Sequence, residues 1–347
     1  MIKMLAGKTY RLRISNVGTA LSFNFRIQNH RMVLVETEGS YTQQIELNSL
    51  DVHVGQSYSV LVTADQLESD YYIVATPTQV EINDSDINGV AVLHYSDSET
   101  PAAGPLPAGP HPLDRVFSVG QARSIRWNMT TGAGRPNPQG TFNVRNVTIS
   151  QTFVLRSSKE TIRGFARYTV NNVSYMTPQT PPKLADYYAN GSGVYRLDAF
   201  PFASVNPEAA LETSVVSGTH KAWVEIVFRN EQEAMDAWHL DGFSFYVIGF
   251  GDGEWAPASR EGYNVWDPVV RSTVQVYPGG WTAVLAYLDN PGMWNLRSQL
   301  LENWYLGEEL YVRVYDADPN PAKELPPPGN LLLCGRPLSI LTNQNHI

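Results

Sequence analysis

The chain has 347 residues, 43% of them hydrophobic and 17% charged, enough to bury one or two full cores. Its formal charge of −9 argues against nucleic acid as a general partner. No window approaches the roughly 18–20 apolar residues that span a bilayer, so no transmembrane segment is expected.

Met1 to Lys8 is too short, before strand-like sequence begins, to read as a secretion signal. Tyr10 to Ile14, Tyr58 to Val60, Tyr71 to Val74 and Val90 to Leu93 are rich in aromatic and β-branched residues and read as strands. Pro101 to Pro112 is a Pro/Gly-rich run, expected to be an extended connector. After it, residues 115–167 hold nine basic side chains against Glu160 alone, in a chain that is otherwise acidic. They are read as cations bridging acidic domains or, more sharply, as a site for a polyanion at Arg115, Arg123, Arg126, Arg135 and Arg145. Trp223 to Phe228 and Tyr311 to Tyr315 are further strands, and Glu231 to Met235 makes at most one helical turn. No long stretch carries a 3.6-residue stripe, so the class is all-β, built of sandwiches.

The chain also repeats itself. Lys8 to Asn16 echoes Lys221 to Asn230, Phe23 to His30 echoes Trp238 to Phe243, and Val54 to Leu61 echoes Tyr277 to Leu285. The order is kept at an offset of about 210–225 residues, which implies two copies of one sandwich. We expect domains at 1–100 and 161–347, with 101–160 as connector. Cys334 is the single cysteine, read either as an inert thiol or as one lacking its partner. Sequons at Asn83, Asn128, Asn146, Asn172 and Asn190 exceed the roughly three that chance gives. The seven histidines form neither a ligand pair nor a nucleophile motif.

Two stretches stand out by what they lack. Gly292-Met293-Trp294-Asn295-Leu296-Arg297-Ser298-Gln299, continuing to Gly307-Glu308, resembles the last copper-binding strand of a multicopper oxidase. That family reads Gly-x-Trp-x-Phe-His-Cys-His-Ile-x-x-His-x-x-x-Gly-Met there. Gly292, Trp294 and Gly307 are kept, but Arg297, Ser298 and Gln299 stand for His-Cys-His, Asn303 for the next histidine and Glu308 for the methionine. Asp236-Ala237-Trp238-His239-Leu240-Asp241-Gly242-Phe243 resembles the family's His-Pro-x-His-Leu-His-Gly-His, with His239 alone retained. A blue-copper centre needs a thiolate and two imidazoles, and Ser298 supplies no thiolate. Arg297 adds a permanent positive charge that repels Cu(II).

Gly7 to Gly18, Gln121 to Asn128, Arg135 to Gly140 and Asn264 to Pro278 are similar to the plant ascorbate-oxidase-like proteins of the skewed-root-growth and pollen-specific group. The resemblance runs nearly end to end. It implies tandem cupredoxin-like Greek-key sandwiches, the second and last of three domains, with the first domain and its two His-x-His motifs absent. It also implies a partner cysteine for Cys334 in that first domain, and an apoplastic or cell-surface location on growing cells such as pollen tubes. The C-terminal Leu338 to Ile347 is too short and polar for a lipid-anchor signal.

The expected function is a redox-inactive binding or structural protein of the cell wall, with no cofactor and with acidic polysaccharide or wall proteins as partners. The alternatives are a copper oxidase of ascorbate or phenols, a weak acid–base or divalent-ion site at Asp236, His239 and Asp241, and a truncated product with no function of its own. Trp255, Trp266 and Trp281 are sugar-stacking or core residues.

Overall fold

The computed structural model describes residues 1–81, 87–127, 144–202, 207–316 and 325–335. Strands take up 47% of the described residues and helices 10%. Two compact units emerge: Met1–Arg145 with Tyr246–Phe250 and Ala258–Gln275, and Asn146–Phe245 with Gly251–Pro257 and Val276–Ile347. Among the described residues no helix is long and apolar enough to cross a membrane.

The first unit opens with β1 (Ile2–Met4), β2 (Thr9–Ser15), β3 (Ser22–Ile27), β4 (Met32–Thr37) and β5 (Ser40–Leu47). It continues with β6 (Leu50–Val52), β7 (Ser57–Thr63), β8 (Asp70–Thr78), β9 (Gly89–Tyr95) and α1 (Arg115–Ser124). Its sheets run β1-β9-β8-β3-β6 and β2-β7-β4-β5. Alternation on β2 turns Leu12 and Ile14 toward Val60 and Tyr58 of β7. Met32, Leu34, Val60 and Val62 from one sheet and Leu50, Val74, Leu93 and Tyr95 from the other are fully buried.

The second unit opens with β10 (Ile149–Ile162), β11 (Phe165–Val170), β12 (Val173–Tyr175), α2 (Pro182–Ala189), β13 (Arg196–Leu197) and β14 (Ala210–Glu212). β15 (Ser214–Thr219), β16 (Trp223–Asn230) and β17 (Asp236–Leu240) follow. β18 (Phe245–Asp252), β19 (Val270–Arg271) and β20 (Thr273–Val276) fall mostly in the first unit's segments Tyr246–Phe250 and Ala258–Gln275. The second unit ends with β21 (Gly280–Tyr287), β22 (Gly292–Ser298), α3 (Leu301–Tyr305) and β23 (Glu309–Tyr315). One sheet holds β14-β12-β11-β10-β16-β21 in order, the other β13-β15-β23-β22-β17.

The internal repeat is visible as equivalent pairings. β2 pairs antiparallel with β7 in the first unit, and β16 pairs antiparallel with β21 in the second. Each leading strand ends on a buried asparagine. Asn16 donates to Leu21 O and Val52 O and accepts from Gly18 N. Asn230 donates to Ala234 O at 2.8 Å and Val276 O at 3.1 Å and accepts from Gln232 N at 2.9 Å. One amide thus satisfies three backbone groups at the same corner of both copies. Asn230→Ala is expected to cost about 2–4 kcal/mol in urea unfolding, since it orphans two buried carbonyls. A loss under about 1 kcal/mol would show that water replaces the amide.

Two expectations differ from what is observed. Residues 101–145 group with the first unit, and β10 belongs to the second, so 101–160 is not one connector. The cause is local: carbonyls of the Pro/Gly run are taken up by first-unit side chains, while β10 pairs with β11 and β16. Two helices arise without an apolar stripe. α1 starts on Asp114, whose side chain accepts from Phe117 N, and α2 carries Pro at its start and a left-handed Asn190 at its end. Glu231 to Met235 forms bends, in keeping with the expectation of at most one helical turn there.

Candidate functional site

The positions singled out in the sequence gather on β17, β22, α3 and the turn into β23. The antiparallel register sets Trp238 opposite Ser298 and His239 opposite Arg297. Because successive side chains on a strand point to opposite faces, this register sends Asp236 and Ser298 to one face and His239 and Arg297 to the other.

The inner group is buried. Asp236 is 1% exposed, Ser298 and Glu308 are 0% exposed, and Asn303 is 4% exposed. Ser298 Oγ donates to Asp236 Oδ1 at 2.6 Å, and Ala237 N donates to the same oxygen at 2.7 Å. Ser298 Oγ accepts from Leu300 N at 3.1 Å. The Gln232 amide reaches both oxygens of Glu308, at 3.3 and 3.4 Å. Glu308 N donates to Asn303 O at 2.9 Å, fixing the turn that delivers the carboxyl. The Glu308 carboxyl and the Trp238 indole N–H also act on the Asp236 carboxyl, each lowering its pKa.

Burial pushes the Asp236 carboxyl up to about 6. Burial, then the charge of Asp236, holds Glu308 well above the carboxylate range. The two carboxyls together therefore hold protons to higher pH than two solvated carboxyls would. The proton has a predictable sign. Both groups hold protons more tightly folded than unfolded, so their contribution is fully present below the unfolded carboxylate range of about 4. It is lost as pH rises through about 6 and into the higher range of Glu308. The urea midpoint of wild type is expected to fall across that window, and Glu308→Gln, which keeps a neutral donor, should flatten the upper part. Identical pH profiles for the two proteins would overturn this linkage.

The outer group is half-buried. His239 Nε2 lies 3.0 Å from Asp241 Oδ1, and Arg297 Nη1 donates to Asp241 Oδ2 at 2.7 Å and to Asn295 Oδ1 at 2.9 Å. Burial would raise the Asp241 carboxyl, but the hydrogen bonds from His239 and Arg297 prevail and hold it below its usual value. The Arg297 guanidinium lies 4.9 Å from the centre of the Trp304 ring, whose Nε1 donates to Glu309 Oε2 at 2.9 Å. Asn295 Nδ2 donates to that same oxygen at 2.7 Å. Gln299 joins neither group by its side chain in any contact described; its backbone N donates to Ala237 O. Gln232, Asn295, Trp304 and Glu309 were not foreseen, although Asn295 and Glu309 share the outer face by alternation with Arg297.

Neither group has the donors of a copper centre. The inner pocket offers two carboxyls, a hydroxyl and amides, hard oxygens with no thiolate, imidazole or thioether. The outer one offers a single imidazole beside a guanidinium. Among the described residues no cluster of three His, Cys, Asp or Glu side chains is arranged to hold a metal.

The basic candidates are elsewhere and largely engaged. Arg123 donates to Phe250 O at 2.8 Å, Arg126 pairs with Asp267 at 2.9 Å, and Arg145 stacks 3.5 Å over Trp266. Arg115 is half-buried with a partner of its own, and Arg135 lies outside the described residues. Asn146 and Asn190 are exposed and Asn172 is half-buried; Asn83 and Asn128 lie outside the described residues. Cys334 is exposed and free.

Comparison with known proteins gives a consistent picture. Family models described as multicopper oxidase match residues 1–98 and 178–320. The monocopper oxidase-like protein SKU5 of Arabidopsis thaliana is 49% identical over 95% of this chain and 56% of its own length. An L-ascorbate oxidase homolog of Brassica napus is 42% identical over 95% of this chain and 59% of its own. The chain thus spans less than two thirds of the curated relatives it matches. Among solved structures, the multicopper oxidase Fet3p, which functions in iron import, superposes with a TM-score of 0.73 at 19% identity. It covers 99% of this chain, and this chain covers 61% of it. A Botrytis aclada laccase gives 0.72 at 20% identity, over 90% of this chain and 53% of its own. At that identity the likeness establishes the cupredoxin-like fold.

Proposed function

The chain belongs to the multicopper oxidase family, and from that membership we propose a redox-inactive binding or structural role at the surface of growing plant cells. One observation carries the proposal: Ser298, Asp236 and Glu308 bury a hydroxyl and two carboxyl groups at the aligned copper-ligand positions, with Ser298 Oγ bonded to Asp236 Oδ1. Hard oxygens of this kind neither bind Cu(I) well nor pass electrons as a thiolate does. An apoplastic setting, and wall polymers as partners, follow from the resemblance and from the exposed sequons Asn146 and Asn190. An acidic polysaccharide would meet Arg123 and Arg145, both exposed.

The relatives' names favour a second role, copper-dependent oxidation of ascorbate or related reductants. The two are separated by copper analysis of the purified protein, its visible spectrum, and oxygen uptake with ascorbate. We expect substoichiometric copper, no intense visible band and no turnover. Stoichiometric copper with turnover that a chelator abolishes would establish the oxidase.

A further inference from the structure

The Pro/Gly run expected to be a connector lies as a strap along the β3–β8 face of the first unit. Five of residues 101–112 are proline. Tyr72 OH donates to Ala102 O at 3.1 Å, and Gln28 Nε2 to Ala103 O at 3.1 Å. Arg26 Nε donates to Pro107 O at 2.7 Å, and Gln79 N to Pro112 O at 2.6 Å. In all four contacts the groove donates and the strap accepts. That polarity suits a proline-rich backbone, which keeps its carbonyls and lacks many of its N–H groups.

The groove is built for this. Tyr72, Val74 and Thr76 alternate onto one face of β8, beside Arg26 and Asn24 of β3. Arg26 is 7% exposed and is held in place by Thr76 Oγ1 at 2.7 Å and Asn24 Oδ1 at 3.3 Å. Gln28 is fixed from its other end, since its Oε1 accepts from Tyr72 N at 3.1 Å. Val74 on the same face is fully buried. Gly109 passes so close to Arg26 that an added Cβ would sit 2.8 Å from Nη1 and 2.9 Å from Cζ. The seat therefore selects a proline whose carbonyl meets Arg26, with glycine two residues on: Pro107-Ala108-Gly109-Pro110.

We propose that the first unit is a recognition module for extended, proline-rich polypeptide, filled in this chain by its own strap and open in trans to a proline-rich partner that displaces it. Preformed polyproline conformation lowers the entropy lost on docking, and side-chain donors to the Ala102, Ala103 and Pro107 carbonyls supply specificity. The proposal names a partner for the binding role above but rests on a different unit, so copper chemistry at Ser298 bears on one and not the other.

The probe is a fluorescent synthetic peptide of residues 100–113, titrated by anisotropy. A variant with Pro101, Pro105, Pro107, Pro110 and Pro112 changed to serine keeps every strap carbonyl and weakens the competing ligand. This variant is expected to bind the peptide saturably and at least tenfold more tightly than wild type. Adding Gln28→Ala should weaken binding at least tenfold, as should a peptide carrying Gly109→Val. No saturable binding by the folded variant, or binding indifferent to both changes, overturns the proposal. The unmodified chain gives a test free of any folding defect: excess peptide should speed cleavage within 101–112 by a proline-specific endoprotease. An unchanged cleavage rate counts against displacement.

Discussion

Replacing Glu38 with asparagine is expected to destabilise the first unit by about 3–5 kcal/mol, although asparagine is the better residue for that turn. Thr37 pairs with Ser40, so Glu38-Gly39 is a two-residue hairpin loop. Both residues have positive φ, 48° and 92°, a conformation that favours Asn-Gly. Local propensity alone therefore predicts a gain. What holds glutamate there is Arg271, 4% exposed, whose Nη2 donates to Glu38 Oε1 at 2.9 Å. The guanidinium also donates to Tyr58 OH at 3.0 Å and to Thr273 O at 3.1 Å. Burial lowers the affinity of Arg271 for its proton, but the charge of Glu38 more than restores it. The same cation, together with complete burial, pushes His53 down to about 3, so that imidazole stays neutral. Removing the carboxylate leaves a guanidinium with no counter-charge in the core, a far larger penalty than turn strain. Urea unfolding of Glu38→Asn measures it. A double variant, Glu38→Asn with Arg271→Met, should recover part of the loss. A stabilised single variant would mean that the turn, and not the ion pair, governs this corner.

Much of the fold was legible because period-two patterning reports burial directly. Tyr10 to Ile14, Tyr71 to Val74 and Trp223 to Phe228 each fall within an observed strand. Helix α1 was not legible, since Ser118 is its single buried residue and it carries no apolar stripe to read. The strap misled for a different reason. Composition predicts the extended conformation of 101–112 but is silent on whether its carbonyls find donors, which depends on Arg26 and Tyr72, distant in sequence. At the candidate site, residue identities disclosed the missing thiolate at Ser298. They did not disclose that Glu308 would be buried beside Asp236, because that placement requires the β17–β22 register and the α3 turn together. Nor did the basic run disclose its partners: Arg126 meets Asp267, 141 residues away.

Rebuilding the donor set is the most demanding test of the aligned positions. A variant with Asp236→His, Ser298→Cys, Asn303→His and Glu308→Met is expected to take up one copper per chain and develop an intense visible band, and wild type is expected to show neither. Ser298 Oγ and Asp236 Oδ1 are already 2.6 Å apart across the β17–β22 register, so side chains from these two positions converge. Asn303 and Glu308 are brought to the same pocket by α3 and the turn before β23. The four changes also remove the polar network as a set, so no member is left as a buried, unpaired carboxyl. Ser298→Cys alone should remain colourless: burial and the neighbouring Asp236 charge both disfavour the thiolate, and no imidazole stands beside it. The outer group is untouched, so Arg297 and Asp241 keep their ion pair and serve as an internal control for folding. A quadruple variant that folds with a cooperative melt yet binds no copper would show that Ser298 does not occupy the thiolate position. Copper uptake with the visible band would instead locate the loss of redox chemistry in these four side chains, on a scaffold still able to hold the metal.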